Sequence, residues 1–442
     1  MPPLSILIVG CGVAGPTLAS FLLLSLDPMQ DRAHITILER SSPEAQSRGQ
    51  NVDIRGAGVP IIRKLGLEDL IRASTTGEGG VQFVDSSNRV WASNAADKSG
   101  RVQTGTSDIE ILRGRLAEIC YRRCQSLSDE VKTRGGAGVE FVFDDSLAKI
   151  EQDGQKVHVR LAKSGDQRSF DLVVAADGLQ SRVRNLVWGT AGEEDRIKRL
   201  GMYAAFFSMP SGETDSLWRR WYHAPGRRSI MVRPSDRRDR STVLMSVINE
   251  NDEQLRRVAV DGKNGVEAQR RLLREYFNDA GWESERILKE MEAANDFYYD
   301  MVAQVKMEKW SKGRVVLLGD AGYCASPISG MGTTLALSGA YNLAGALSRH
   351  TEDYTAAFAE YEEKMRPIVD RAQKLPPGAP HIFAPENAWG ILVMHIIFGI
   401  LSWFRLAALA AMLAGPPANA VFLEDYGFHQ APAWDWRTEG MQ

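Results

Sequence analysis

The sequence predicts an α/β chain: a Rossmann-like nucleotide-binding domain, a β-sheet domain inserted into it, and an apolar helical segment at the C terminus. Three observations predict this. The chain opens with "LSILIVGCGVAG", an apolar run that ends in a glycine turn. Two further apolar runs, "FDLVVAADG" and "GRVVLLGDAG", end in similar turns far downstream. The stretch from Trp389 to Gly415 carries one formal charge, Arg405.

Bulk composition narrows the function before any motif is read. The 442 residues are 44% hydrophobic and 25% charged, which suits two or three globular domains rather than a small binding module. A formal charge of −3 gives no global basic excess, so nucleic acid is a poor partner. The four cysteines, Cys11, Cys120, Cys124 and Cys324, fit neither a zinc knuckle nor a redox CxxC pair and read as reduced thiols. No metal-ligating constellation or nucleophile triad stands out. The start lacks a basic segment before its apolar run, so it reads as a first strand, with a cytoplasmic chain as the expectation.

The first element is a βαβ unit. Gly10-x-Gly12-x-x-Gly15 follows the opening strand, a helical apolar stretch comes next, and a second strand, "HITILER", ends at Glu39, 24 residues beyond Gly15. One glycine makes the turn, one admits a pyrophosphate to the backbone, and one lets helix and strand pack. Phosphates then meet the free N–H groups of the helix N-terminus, and Glu39 is placed for an adenosine ribose. Arg40 follows and raises the case for a 2′-phosphate. A plain dehydrogenase, however, would not explain the two later turns, at Asp177-Gly178 and at Gly319-Asp320. One extended ligand touched by three turns explains them together.

With these motifs the chain resembles the single-component flavoprotein aromatic hydroxylases, the family of para-hydroxybenzoate hydroxylase and the tetracycline-inactivating monooxygenases. The resemblance rests on the Gly10, Gly12, Gly15 and Glu39-Arg40 set, the Asp177-Gly178 turn with Ser181 and Arg184, and "GDAGYCASP". It also rests on "RGQNVDIRGAG" (Arg48, Asp53), "ILRGRLAEI" (Arg113, Leu116) and "YEEKMRP" (Tyr361 to Pro367), and it runs from residue 4 to about 375.

The resemblance implies a GR2-type FAD-binding domain with FAD as cofactor and NADPH or NADH as co-substrate. It assigns Gly10, Gly12 and Gly15 to the pyrophosphate, Glu39 and Arg40 to the adenosine end, and Asp320 to the ribityl hydroxyls. Arg48, Asp53, Arg113, Asp177 and Gly178 resemble cofactor-contacting positions. Pro327 would wall the reacting edge of the flavin, and the helix opening at Gly330-Met331-Gly332 would point its positive end at the ring. The implied reaction is hydroxylation of a phenolic or polyketide-like aromatic with O2 through a flavin C4a-hydroperoxide. Epoxidation or Baeyer–Villiger oxidation by the same machinery, or a flavin dehydrogenase without oxygen insertion, are the alternatives.

Several positions depart from the family pattern. Relatives usually read GDAAH where this chain has Gly319 to Tyr323, and a glutamine where it has Met331. Thr334 and Gly339 stand where an asparagine and an aspartate are usual. The GWxWxIP signature of flavin halogenases is absent.

The expected organisation is discontinuous. Residues 1–78, 104–188 and 296–385 form the cofactor domain, 79–103 and 189–295 the substrate sheet, and 386–442 the apolar helical segment and tail. "WRRWYHAPGRRSIMVRP" offers Trp221, Tyr222, Met231 and Arg233 to a substrate pocket, or else forms an exposed arginine-rich hairpin. The C-terminal segment reads as a buried hairpin or bent helix bridging the two domains and shielding the flavin, with peripheral membrane contact the less favoured reading. The chain would act as a monomer or homodimer.

Overall fold

The opening strand, Leu4–Val9, sits inside a six-stranded sheet ordered Ser311–Lys312, Val315–Leu317, Leu172–Ala175, Leu4–Val9, Ala33–Leu38, Val139–Val142. The last five strands run parallel. Parallel strands need cover on both faces, and their near-continuous Val, Ile and Leu content supplies buried side chains to both. The molecule, a computed structural model, describes residues 4–25, 33–42, 50–97, 107–260, 265–403 and 423–437. Helix Ala14–Leu23 packs on helices Gly332–Arg349 and Arg113–Thr133. The glycine and acid turns after Val9, Leu38, Ala175 and Leu317 therefore all lie at the carboxyl ends of parallel strands, where open α/β sheets bind ligands.

A second, seven-stranded sheet is ordered Tyr298–Val305, Ile197–Pro210, Arg240–Ile248, Arg228–Pro234, Arg219–Ala224, Gly80–Val84, Val90–Ala95. Its pairs are antiparallel except where Arg219–Ala224 joins Gly80–Val84 in parallel. One face packs on helices drawn from residues 253–293, forming a separate core around Phe277 and Met291. The other faces the cofactor sheet. Strand Tyr298–Val305, assigned by sequence to the cofactor domain, is the edge of this sheet instead, because it pairs along Ile197–Phe206.

The C-terminal helix, Ala388–Trp403, is not the fully buried element expected, and the second half of the expected hairpin lies outside the described residues. The helix packs on strands Val90–Ala95 and Arg219–Ala224 of the second sheet, and its outer face stays exposed. Arg405 and the rest of 404–422 lie outside the described residues. Beyond them, the tail crosses the cofactor domain. Phe428 packs on Phe21 and Tyr341 at 5.1 and 5.4 Å between ring centroids. Tyr341 Oη donates to the Glu424 carbonyl at 2.6 Å, and the Trp434 amide donates to the Gly66 carbonyl at 3.0 Å.

Candidate functional site

The three N-terminal glycines separate by role. Gly10 has φ +113°, and a Cβ there would overlap the Ala176 carbonyl, so it is the turn between two strand ends. At Gly15 a Cβ would overlap the Gly10 carbonyl, so this glycine lets the helix close on the turn. Gly12 alone faces open space, where its backbone lines a large cavity with Val13 and Ala14. No side chain caps the helix that starts at Ala14. Its N–H groups and the open Gly12 backbone fit an anionic pyrophosphate.

Asp320 begins the turn on the opposite wall. Gly319 holds φ +65°, which sends the chain sharply off its strand and sets the carboxylate on the cavity. Burial pushes the Asp320 carboxyl up from its ordinary value, and Arg113 draws it back. Arg113 also lines the cavity, with no ion-pair partner among the described residues. Pro327 opens a short turn closed by Gly330 at φ +62°, and helix Gly332–Arg349 starts immediately after with neither a side-chain cap nor an acid in its first turn. Pro327, Gly330 and Gly332 line the cavity. A cofactor with an anionic middle, polyhydroxyl chain and polarisable ring fits this set.

The cavity has a volume of about 1120 Å³ and runs between the two sheets. That is just above the roughly 300–1,000 Å³ typical of small-molecule sites. Beyond the glycine and acid turns it is walled by Phe83, Met202, Phe206, Trp221, Met231 and Phe383, an apolar and aromatic surface. Arg219 and Arg233 add charge to the same wall.

Strand parity divides the substrate candidates. Trp221 and Met231 pair across neighbouring strands and both face the cavity. Tyr222 does not. Its ring stacks on Trp282 at 5.3 Å on the far face, and its hydroxyl donates to the Ala280 carbonyl at 2.5 Å, so it belongs to the helical core. The segment is an interior pair of strands and not an exposed hairpin. Arg233 faces the cavity but is held from behind: Nε donates to Glu78 at 2.8 Å and Nη2 to Glu110 at 2.6 Å. Arg219 Nη2 donates to the other oxygen of Glu78 at 2.7 Å.

This network is buried and unevenly balanced. Burial opposes the Arg233 cation, but Glu110 and Glu78 outweigh it and push its pKa up. Arg219 goes the other way, lowered by burial and by Arg233. Burial raises Glu110, with Glu78 adding to the shift and Arg233 opposing it. Among the described residues, Arg219 Nε and Trp221 Nε1 are buried donors without a hydrogen-bond partner and Gln50 Oε1 is a buried acceptor without one; all three residues line the cavity.

Other sequence candidates have structural partners of their own. Asp177 turns from the cavity: it accepts from Ser181 Oγ at 2.5 Å and from the Val183 amide at 3.0 Å, capping helix Arg182–Trp188. Gly178, its neighbour, does line the cavity. Arg184 is buried and donates to the carbonyls of Ala321 and Leu179, both at 2.8 Å, so it ties the Asp177 and Asp320 turns together. Glu39 accepts from the amides of Cys11 and Ser41 at 2.9 Å each, bracing the glycine turn, and Arg40 beside it is exposed. Asp53 lines the cavity paired with Arg55 at 2.8 Å. Met331 is the residue before the helix and is not part of the cavity wall. Arg48 lies outside the described residues.

Arg219, Phe83, Phe206 and Gln50 were not singled out from the sequence. Arg219 lies two residues before Trp221 in one strand, so period-two alternation was the signal that could have found it.

Comparison with known proteins agrees with this geometry. The profile of the FAD binding domain family matches residues 4–375. The FAD-dependent monooxygenase asL6 of Sarocladium schorii is 33% identical over 95% of this chain and 97% of its own. Monooxygenase CTB7 of Cercospora beticola is 33% identical over 96% and 97%. The crystal structure of tetracycline destructase Tet(51) superposes with a TM-score of 0.73 at 28% identity, covering 96% of this chain and 100% of that one. With glycine turns, Asp320 and the helix start at Gly332 gathered on one cavity, and with the match spanning both domains, the chain belongs to the FAD binding domain family and is an FAD-dependent monooxygenase.

Proposed function

We propose that this enzyme uses NADPH or NADH and O2 to hydroxylate an oxygen-rich aromatic of phenolic or polyketide-like type, held between its two sheets. The observation that carries this reading is the single cavity whose one end is built from the glycine and Asp320 turns and whose other end is aromatic wall. When bound, FAD supplies two-electron reduction by nicotinamide and activation of dioxygen.

The chain's own residues do the rest. The Gly12 backbone and the helix behind it would hold the pyrophosphate, Glu39, Arg40, Asp53, Arg113 and Gly178 the neighbouring parts, and Asp320 the ribityl chain. The N-terminus at Gly332 favours negative charge on the ring edge that faces it. Pro327, Phe206 and Met202 would wall the reacting face and keep water from it. Trp221 and Met231 would carry the substrate ring. Arg219 Nε, a buried donor without a partner among the described residues, suits a phenolate or enolate oxygen, and holding that anion keeps the ring electron-rich. The name of the tetracycline destructase supports the substrate class, a polycyclic oxygenated ring.

The test is a panel of phenols and aromatic polyketides screened for stimulated NADPH oxidation coupled to oxygen uptake, with products analysed under ¹⁸O2. Incorporation of one labelled atom as a ring hydroxyl supports the reading. A labelled epoxide or lactone moves the reaction to the alternative oxygenations, and turnover without label leaves a dehydrogenase.

A further inference from the structure

The two faces of helix Ala388–Trp403 meet different surroundings. On the inner face Phe398 packs on Phe83 at 4.6 Å and His395 stacks on Trp91 at 5.5 Å. Ser402 Oγ donates to the Ser93 carbonyl at 2.7 Å, and Ser402 also lines the cavity. On the outer face Trp389, Val393, Ile396, Ile397, Ile400 and Trp403 form one stripe at helical spacing, from 45% to 84% exposed. Six large apolar side chains on one face, each about half exposed or more, make a contiguous patch of the kind that marks an interaction site and not scattered surface residues. The helix contains no charged residue.

We propose that this stripe is a membrane-contact surface, on which the helix lies flat at the headgroup boundary of a lipid bilayer. Sixteen residues rise about 24 Å, short of the roughly 30 Å hydrocarbon core, and no helix among the described residues is long and apolar enough to cross a membrane. Exposed indoles at both ends suit the boundary, where one edge of the ring is dry and the other wet. The Arg227–Glu386 ion pair lies before the helix, whose first residue is Ala388.

Two observations favour lipid over a second copy of the chain. The outer face offers no charged or polar side chain that would set a two-fold register, and the sequence beyond the helix stays apolar, with Arg405 the one formal charge from Trp389 to Gly415. The chain leading into the helix also joins outside to cavity: Ile382 is exposed, while its sequence neighbours Phe383 and Ala384 line the cavity wall. Apolar aromatics dissolved in lipid would thus reach the site along this rim. That route rests on the proposed oxygenation, whereas the attachment does not.

The experiment is flotation of the purified full-length flavoprotein with vesicles of phosphatidylcholine, with and without phosphatidylserine, at low and high salt. Wild type should float with both, resist high salt, and show tryptophan emission quenched by brominated lipid. Ile396→Glu with Ile400→Glu, both outward-facing, should weaken vesicle binding about tenfold or more while FAD content and melting temperature hold. Wild type that neither floats nor is quenched overturns the proposal. So does a dimer that the double variant splits without vesicle binding, and so does protein that stays in cell membranes through a carbonate wash, which would mean a span.

Discussion

Tyr323 and Gly339 are fitted to one another: a Cβ at 339 would overlap Tyr323 Oη. Both positions read from the sequence as departures from the expected family pattern, and in the structure they face one another. The tyrosine ring also packs on Trp310 at 4.6 Å, and its hydroxyl accepts from Tyr361 at 2.8 Å, which draws "YEEKMRP" into the same cluster beneath the Asp320 turn. Gly339→Ala should cost roughly 1–3 kcal/mol by overpacking, despite the better helix propensity of alanine. In a Tyr323→Phe background, where the hydroxyl is gone, the same substitution should cost at least about 1 kcal/mol less. Equal costs by thermal melts in the two backgrounds would refute the coupling.

Asp320→Ala should weaken FAD retention. The carboxylate lines the cavity and has Arg113 near it. Losing a charged hydrogen-bond partner costs about 1.5–3 kcal/mol, or roughly one to two orders of magnitude in affinity. Flavin fluorescence titration of the apoprotein reads the change. An unaltered affinity would place the ribityl chain elsewhere.

The glycine and acid turns were legible because they are local. A strand end, a positive φ and a close approach are all written within a few residues, as at Gly10 and Gly319. Facing was legible only where parity could be anchored: Tyr222 and Trp221 are adjacent and equally aromatic, and only the strand pairing decides which one meets the cavity. Asp177 shows the same limit, since the Asp-Gly pair announces the turn but the partners of its carboxylate, Ser181 and Val183, decide where it points. The Glu78 and Glu110 network joins residues more than a hundred positions from their arginines, so no sequence window contains it. The C-terminal helix was legible as apolar, but apolarity alone did not tell which face would be covered.

The tail should stabilise the cofactor domain. Phe428 is buried between Phe21 and Tyr341, and Tyr426 fills the notch left by Gly345. Phe428→Ala should cost about 3 kcal/mol. The melting temperature of the holoenzyme should fall accordingly, with the FAD spectrum retained below the transition. A melt unchanged within error would mean the strap contributes nothing.

Arg219→Met should separate substrate binding from cofactor binding. Glu78 keeps Arg233 as partner, so the variant removes a charge from the cavity wall without stranding a carboxylate. Affinity for an acidic aromatic found by the screen should fall about tenfold to a hundredfold while FAD content holds. Glu78→Ala is the contrast. It leaves two buried guanidinium groups short of a partner and should cost about 3–5 kcal/mol of stability. If Arg219→Met instead releases FAD, the arginine serves the cofactor end.

His223 should make the fold acid-sensitive. It follows Trp221 on the same face of its strand, buried against Phe83 at 6.2 Å and Trp221 at 5.1 Å, with the Phe383 backbone as a polar neighbour. Burial, with His395 adding to it and the Phe383 backbone opposing it, lowers its pKa to about 3. An unfolded histidine titrates near 6.5, so between about pH 3 and 6.5 the unfolded state binds the extra proton and stability rises with pH. The neutral ring's contribution is complete above about pH 6.5 and is lost as pH falls toward 3, at about 1.4 kcal/mol per pH unit. His395, itself lowered by burial, adds slope in the same direction. Urea unfolding followed from pH 7 to 4.5 should show wild type losing stability faster than His223→Leu, by about 1.4 kcal/mol per unit below pH 6.5. Parallel profiles would show that the Phe383 backbone holds the charged ring well enough to offset its burial and that the helix Ala388–Trp403 does not seal it.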